Sequence, residues 1–359
     1  MTSLVRLVMR AASSASRLSS STSSISSTRQ FSASVASQKE LNRPPTGNEV
    51  YRAGGIATMA RLPLQSTAEG LDACFVGIPL DSGASNRAGT RHGPRAIRAE
   101  SSMVRLVNNA TGASPFESLQ VADIGDITVN PYNLSKCCDI IRDAYEKILN
   151  VGCRPLGIGG DHTVTYPILQ AMKDKFGPVA LVHIDAHNDT QPSIMGEAVC
   201  HSTPVYRAVD EKLIDGAKVF QIGLHAWGNV FDEDAWARKQ GFHVYPAQDL
   251  WQKSLTPLMK EIRAKIGPDT PTYISFDIDG LDPAYAPGTG APEIGGLTTI
   301  QALEILRGCR GLNIVGGDVV EVSPPYDMSG NTALTAAYLL MEMLCVFPGV
   351  KYYDQPREW

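Results

Sequence analysis

The chain has 359 residues, of which 43% are hydrophobic and 19% are charged, and its formal net charge is -5. The hydrophobic share excludes an intrinsically disordered chain, and the acidic balance argues against a nucleic-acid partner, since such proteins normally carry a basic surplus. No stretch reaches the roughly 18 unbroken apolar residues of a membrane span. We therefore expect no membrane partner, and the composition favours small-molecule chemistry.

Seven cysteines occur in the sequence, with no Cys-x-x-Cys pair among them. An odd number without paired spacing argues against a disulfide framework and against a thiolate zinc site. We interpret them as buried or unreactive thiols of a reducing compartment. Cys200 stands apart because it precedes His201, a candidate catalytic residue.

The amino-terminal segment differs from the rest of the chain. Residues 1–38 contain four arginines and no acidic residue, and over a third of them are serines. This composition is typical of a mitochondrial transit peptide and predicts a location in the mitochondrial matrix. The alternative is a disordered tail without a function. We predict a linker over residues 39–61 and a catalytic domain over residues 62–350.

From residue 71 onward, short apolar runs alternate with amphipathic stretches. The runs predict strands at 73–78, 119–124, 154–158, 179–184, 219–223, 243–245, 272–276 and 312–320. The stretches predict helices at 94–107, 134–151, 163–175, 235–240, 255–266, 299–308 and 332–347. This alternation predicts one α/β domain with three layers, α/β/α, around a mainly parallel sheet of about eight strands. Ligands in such sheets bind at the carboxyl ends of the strands.

The first polar strand end is Gly157-Ile158-Gly159-Gly160-Asp161-His162. It lacks the glycine spacing of a dinucleotide site and the Lys-Ser/Thr of a P-loop, which disfavours a phosphate site. We interpret the glycines as a tight turn that holds His162 over the sheet edge.

Two further strands end in alternating acidic residues. Asp185, His187 and Asp189 follow one strand, and Asp277 and Asp279 follow another. Residues two apart in an extended chain share a face about 6.6 Å apart, so each set faces one point. His183 has the same parity but lies deeper in its strand, and we assign it to the core.

Together the three strand ends predict a metal centre, because four buried carboxylates are prohibitive without compensating cations. Two divalent ions bridged by carboxylates accommodate six ligands better than one ion does. Carboxylates with two imidazoles and no thiolate favour Mn(II) over zinc. The predicted ligands are His162, Asp185, His187, Asp189, Asp277 and Asp279. The charge balance leaves room for a substrate of charge +1, such as a guanidinium.

Four separated motifs in the sequence resemble those of a known protein family. They are Gly159 to His162, Asp185 to Asp189, Ser275 to Pro283 and Glu321 to Pro325, and the segment Arg91 to Arg98 matches as well. Over roughly residues 62–347 the chain resembles the ureohydrolase (arginase/agmatinase) family, and most of all its mitochondrial agmatinase and guanidino acid hydrolase branch. The resemblance implies an arginase-like fold.

The resemblance also implies a mechanism. His162, Asp185, Asp189 and Asp277 would hold one manganese ion, and Asp185, His187, Asp277 and Asp279 the other. An activated water would attack the guanidinium carbon and release urea. His201 would be the general acid and Glu321 would bind the guanidinium, so both are also substrate-binding candidates. The alternatives are an ordinary loop histidine and a structural carboxylate.

Several questions stay open at the level of sequence. Asn188 and Ser202 replace the family's usual threonine and glycine, and the segment by which arginases engage arginine is absent, which disfavours arginine. The remaining substrates are agmatine and guanidino acids such as 4-guanidinobutyrate, 3-guanidinopropionate and taurocyamine. Trp227 and Trp236 are candidates for the pocket wall or for ordinary packing. A catalytically silent homologue and a formiminoglutamase are the alternative functions. The family implies a homo-oligomer, a trimer or a hexamer.

Overall fold

The computed structural model describes residues 40–353, so the predicted transit peptide at residues 1–38 lies outside the described residues. From Leu41 onward the described residues form one compact unit. Ten strands, β1 to β10, occur in it: Ala73–Gly77, Ala113–Ser114, Val121–Asp126, Arg154–Ile158, Val179–Ile184, Ile214–Ile222, His243–Tyr245, Pro271–Asp277, Asn313–Val320 and Lys351–Tyr352. Nine α-helices, α1 to α9, occur as well: Gly93–Glu100, Leu134–Asn150, Thr165–Phe176, Pro204–Asp210, Ala235–Lys239, Ala247–Leu250, Thr256–Ile266, Thr299–Gly308 and Asn331–Cys345.

Eight strands form the central sheet in the order β3-β1-β4-β9-β8-β5-β6-β7. Every neighbouring pair in it is parallel. The two remaining strands, β2 and β10, pair antiparallel in a small separate sheet. The parallel eight-stranded sheet confirms the fold class predicted from the alternating pattern.

Helices cover both faces of the sheet, because successive strand residues point to opposite faces. In β5, Leu181 packs with the layer of α2 and α3, whereas Val182 packs with the layer of α7, α8 and α9. A sheet buried on both faces explains why β5 reads as a continuous apolar run rather than as an alternation. The result is the predicted three-layer α/β/α arrangement.

Local signals set the helix ends. Thr298 and Gln301 form a reciprocal capping box that begins α8. Gly267, with a φ of 81°, follows the last residue of α7, where a residue with a side chain would be strained. The first helix differs from its prediction: α1 ends at Glu100, where the Ser101 hydroxyl donates to the Arg98 carbonyl at 2.7 Å, and a 3₁₀ turn follows.

The segment predicted as a linker contacts the sheet edge. Asn42 donates from its side-chain nitrogen to the Val121 carbonyl at 3.0 Å, and the backbone N–H of Met59 donates to Asp123 at 2.6 Å. Met59 itself is fully buried. Within residues 40–353, no helix combines the length and the apolar composition that crossing a bilayer requires.

Candidate metal centre

The predicted ligands lie at the carboxyl end of three central strands. His162 follows β4, and Asp277 is the last residue of β8. Three more predicted ligands, Asp185, His187 and Asp189, follow β5. In the sheet order, β9 stands between β4 and β8, and β5 is the next neighbour of β8. Parallel strands end at the same sheet edge, which is where open α/β sheets bind ligands. The prediction that three distant stretches meet in space is confirmed.

His162 is the centre of a first group of contacts. Its Nδ1 atom lies 3.0 Å from Asp189 Oδ2, 3.2 Å from Asp185 Oδ2 and 3.2 Å from Asp277 Oδ2. All four side chains are buried. Asp189 reaches this position with a φ of 53°, in the left-handed region that few side chains adopt. Such a strained residue at a ligand site is a common functional feature.

A second group surrounds His187. Its Nδ1 atom lies 3.4 Å from Asp185 Oδ1 and 3.3 Å from Asp279 Oδ2. Asp185 therefore faces the first group with one oxygen and the second group with the other. The second oxygen of Asp277, Oδ1, accepts the backbone N–H of Asp279 at 2.9 Å.

The charges of this cluster are unbalanced without a cation. Burial, with the charges of Asp279 and Asp185, raises the pKa of Asp277 well above its usual range. Burial opposes the charged form of His162, but the carboxylates of Asp185, Asp189 and Asp277 raise its pKa well above the usual value. The protein alone would therefore retain protons at the positions where cations balance the charge.

Buried ligand atoms without a partner support a metal as well. Within the described part of the chain, His162 Nδ1 and Asp185 Oδ2 are buried and have no hydrogen-bond partner. Such atoms are rare in proteins unless an ion or a water satisfies them. Both atoms belong to groups of His and Asp side chains whose donor atoms lie within 4.8 Å of one another. The donor set of oxygens and imidazoles fits a divalent cation of intermediate hardness.

His183, assigned to the core from its parity, is fully buried but also contacts the cluster. Its Nε2 atom lies 2.9 Å from Asp185 Oδ2. On the other side of the ring, Gln221 Nε2 lies 3.0 Å from His183 Nδ1 and donates to the Asn188 carbonyl at 2.8 Å. Because that carbonyl can only accept, the Gln221 atom is its NH₂ group, so His183 Nδ1 accepts and the ring proton is on Nε2, the atom that faces Asp185 Oδ2. His183 is therefore a partner of Asp185 and does not offer a lone pair to a metal.

Glu321 and His201 lie at the rim of the cluster. Glu321 follows β9, is buried, and accepts the backbone N–H of His162 at 2.8 Å. Its Oε1 atom lies 3.7 Å from His201 Nδ1. Burial, with the charge of Asp161, raises the pKa of Glu321 well above its usual value. Gly290 leaves room for this side chain, because a Cβ there would stand 3.0 Å from Glu321 Oε2.

Sequence reasoning missed the partners that hold His201. Ser85 Oγ lies 2.7 Å from His201 Nε2, and the backbone N–H of His201 donates to the Gly83 carbonyl at 3.2 Å. Asp161 fixes the same loop, because its carboxylate accepts the N–H of Gly83 at 2.9 Å. Ser85 is 116 residues from His201 in the chain, and no spacing rule relates the two.

A cavity of about 610 Å³ opens beside His187 and Asp189. Both residues that depart from the family pattern, Asn188 and Ser202, line it, as does Trp227. Trp236 does not line this cavity and instead stacks on Tyr206 at 4.9 Å between ring centres, so ordinary packing is the correct reading of Trp236. Three acidic residues on the wall have partners of their own: Asp232 pairs with Arg238, Glu233 accepts from Gln191, and Asp234 accepts from Asn188.

A protein-family model, that of the arginase family, matches residues 71–345. The chain belongs to the arginase family. The mitochondrial agmatinase of Gallus gallus is 60% identical over 311 residues, which cover 87% of this chain and 91% of that protein. The mitochondrial guanidino acid hydrolase of Homo sapiens is 58% identical over 88% of this chain and 89% of its own. The guanidinobutyrase of Pseudomonas aeruginosa is 59% identical over 87% of this chain and 98% of its own.

A solved structure agrees with this arginase-family assignment. The proclavaminate amidino hydrolase of Streptomyces clavuligerus superposes with a TM-score of 0.79 at 38% identity, over 82% of this chain and 98% of that one. The family, the fold and the hydrolase class predicted from the sequence motifs are confirmed.

Proposed function

We propose that this arginase-family chain is a binuclear manganese hydrolase that cleaves the guanidinium group of a linear guanidino compound into urea and an amine. The observation that carries the proposal is the convergence of two imidazoles and four carboxylates from three strands at one sheet edge. The names of the most similar relatives support the same reaction class, since they include an agmatinase and a guanidinobutyrase.

We assign the ligands as follows. One ion would be held by His162, Asp185, Asp189 and Asp277, and the other by Asp185, His187, Asp277 and Asp279. When bound, such a pair of ions supplies an activated water nucleophile and neutralises developing charge. The two oxygens of Asp185, which face different groups of ligands, support its role as a bridge.

The remaining steps belong to the protein's own side chains. Glu321 binds the guanidinium through charge-assisted hydrogen bonds and orients its carbon toward the nucleophile. His201 lies 3.7 Å from Glu321 and is partly exposed, a position from which it donates a proton to the departing amine. Ser85 holds His201 Nε2, which leaves Nδ1 directed at the site.

The tail of the substrate extends into the cavity beside His187. No Lys or Arg lines that cavity among the described residues, whereas the carboxylates of Glu233 and Asp234 and the imidazole of His225 do. The wall thus offers carboxylates for an ammonium tail and an imidazole for a carboxylate tail, so we propose agmatine and guanidino acids together as the substrate class. The relatives support both, since one is named an agmatinase and two are named for guanidino acids.

A urea assay of the manganese-loaded chain tests this function directly. The panel contains agmatine, 4-guanidinobutyrate, 3-guanidinopropionate, taurocyamine and arginine. We expect urea from at least one of the first four and little from arginine. Release of formamide from formiminoglutamate would favour the alternative hydrolase, and the absence of any product would favour a catalytically silent homologue.

The proposal includes a location in the cell. We propose the mitochondrial matrix as the location, on the composition of residues 1–38 and the names of two relatives. A fluorescent protein fused behind these residues should enter mitochondria.

We also propose a trimer or hexamer, supported by an open apolar groove of about 590 Å³ lined by Leu303, Leu334 and Tyr338. Light scattering measures the assembly state.

A further inference from the structure

A row of buried polar side chains crosses the middle of the sheet beneath the proposed ligands. Asp318 of β9 pairs in register with Ser275 of β8, Ser275 with His183 of β5, and His183 with Gln221 of β6. All four residues are fully buried. We call these four residues the polar row.

The polar row lies in an apolar setting. The same sheet face packs against Ile168 and Met172 of α3 and Ile141 of α2, and it includes Leu181 and Tyr273 of the sheet itself. Burying a polar side chain in such surroundings is unfavourable unless each polar atom has a partner. Two of the side chains that contact the row, His162 and Asp185, are proposed to hold the metal.

The first half of the row fixes His162. Asp318 accepts three hydroxyl hydrogens, from Ser275 at 2.7 Å, Tyr273 at 2.8 Å and Thr165 at 2.9 Å. Burial raises the pKa of Asp318, and His162 together with these hydroxyls opposes the rise. Because the single Ser275 proton is directed to Asp318, its oxygen can only accept from His162 Nε2, which lies 3.0 Å away.

The direction of this hydrogen bond determines what the other ring nitrogen of His162 can do. With the proton on Nε2, the neutral His162 ring presents the lone pair of Nδ1, and Nδ1 is the atom that faces Asp185, Asp189 and Asp277. A metal ligand requires this tautomer. The contact between Ser275 and Asp318 thus selects the form of His162 that can bind an ion.

The second half of the row acts on Asp185 in the same way. Gln221 donates to His183 Nδ1, so the His183 proton is on Nε2, which lies 2.9 Å from Asp185 Oδ2. Both halves use an outer residue to set the hydrogen-bond direction of an inner one.

We propose that the polar row is the positioning layer of the metal centre: Asp318 and Ser275 fix the tautomer of His162, and Gln221 and His183 fix the orientation of Asp185. This inference rests on the proposed ligand assignment. It makes Asp318, Ser275, His183 and Gln221 positioning residues, since none of them offers an atom to the ions. Outer partners of this kind typically change metal affinity about 10- to 100-fold.

The test is a manganese titration of Ser275→Ala. His162 is assigned to only one of the two ions, so the affinity of one site should fall about 10- to 100-fold while the other stays unchanged. A merely structural defect would weaken both sites together and lower the melting temperature of the metal-stripped chain. Equilibrium dialysis with manganese chloride and atomic absorption gives both affinities.

Two further variants complete the experiment. Asp318→Asn replaces an acceptor oxygen by a donor, so it should produce the same selective loss, and it carries the test if Ser275→Ala does not fold. Tyr145→Phe is the matched control, because the Tyr145 hydroxyl is buried near the same face and has no hydrogen-bond partner in the described part of the chain. We expect both of its sites to keep wild-type affinity.

These experiments distinguish a failure of the positioning role from a failure of the proposed function. If wild-type chain binds two manganese ions and releases urea while Ser275→Ala and Asp318→Asn bind them equally well, the positioning role is wrong and the function stands. Equal weakening of both sites would also overturn it. A wild-type chain that binds no manganese would overturn both the proposed function and the inference.

Discussion

Asp185 is the residue on which the proposed centre depends most. Its two oxygens face different imidazoles, and a third imidazole, that of His183, lies 2.9 Å from Oδ2. Although burial favours the neutral form, the imidazoles of His162, His183 and His187 hold the pKa of Asp185 well below its usual value. A carboxylate kept ionised in a buried site is ready to bind a cation without first losing a proton.

Replacing Asp277 with Ala should remove manganese and abolish turnover, because this carboxylate is assigned to both ions. We expect urea release to fall by at least about 100-fold, the upper range for outer partners alone. Metal analysis of the purified variant measures the loss. Asp269→Ala, which removes an exposed carboxylate just before the same strand, is the control. Two manganese ions per chain in Asp277→Ala would contradict the assignment.

Replacing His201 with Ala should leave the metal in place and slow the reaction. His201 contacts Ser85 and lies near Glu321, and neither of these residues is a predicted metal ligand. Loss of a general acid typically costs about 10²- to 10⁴-fold in rate. Steady-state kinetics with metal analysis on the same sample measure both effects. An undiminished kcat would remove His201 from the mechanism.

At the scale of elements, a buried ion pair joins α1 to the sheet edge. Arg98 of α1 donates to both oxygens of Asp123 in β3, at 2.8 and 3.0 Å, and also pairs with Asp126. Asp123 is fully buried and accepts the N–H of Met59 as well. This pair therefore connects the helix, the edge strand and the segment before β1.

Arg98→Met should destabilise the fold by about 3 to 5 kcal/mol, because it leaves Asp123 as an uncompensated buried charge. Arg95→Met on the same helix removes an exposed arginine and should change the free energy of unfolding by about 0.5 kcal/mol or less. Denaturant unfolding of the two metal-loaded variants compares them. Similar stabilities would show that the pair contributes little.

Several strands were predictable from their apolar runs. The runs at Arg154–Ile158, Val179–Ile184 and His243–Tyr245 predicted β4, β5 and β7 to the residue. Helix α4 was missed because its seven residues, Pro204–Asp210, bury only three side chains and give no helical period. Strand β6 begins at Ile214, five residues before its prediction, because its first half is polar and mostly exposed.

The site was predictable only in part, for a physical reason. Their closeness in the chain placed Asp185, His187 and Asp189 together, although β5 ends at Ile184 and Asp189 adopts a left-handed φ that no strand pattern predicts. The contact between Ser85 and His201 depends on how two loops meet, and the row from Asp318 to Gln221 depends on the register of four strands. Neither register nor loop contact can be read from local periodicity.

At the scale of the whole molecule, the stability of the fold should depend on metal and pH together. Without ions, the folded chain retains protons at His162 and Asp277, whose pKa values are both raised. Groups with raised pKa values bind more protons in the folded state, so the metal-free fold loses stability as pH rises. Asp185, whose pKa is lowered, is already ionised in both states near neutrality and does not change this sign.

Manganese should therefore raise the melting temperature more at about pH 8 than at about pH 6, because metal binding displaces protons from its ligands. Each displaced proton adds about 1.4 kcal/mol of binding free energy per pH unit. Thermal unfolding of the metal-loaded and chelator-treated chain at several pH values measures the effect. A stabilisation that stays constant or shrinks with rising pH would argue against these ligands.

The most direct measurement is anomalous diffraction at the manganese edge from crystals of the metal-loaded chain. We predict two peaks about 3.5 to 4 Å apart, both enclosed by His162, Asp185, His187, Asp189, Asp277 and Asp279. A single peak, or peaks bound by other side chains, would contradict it.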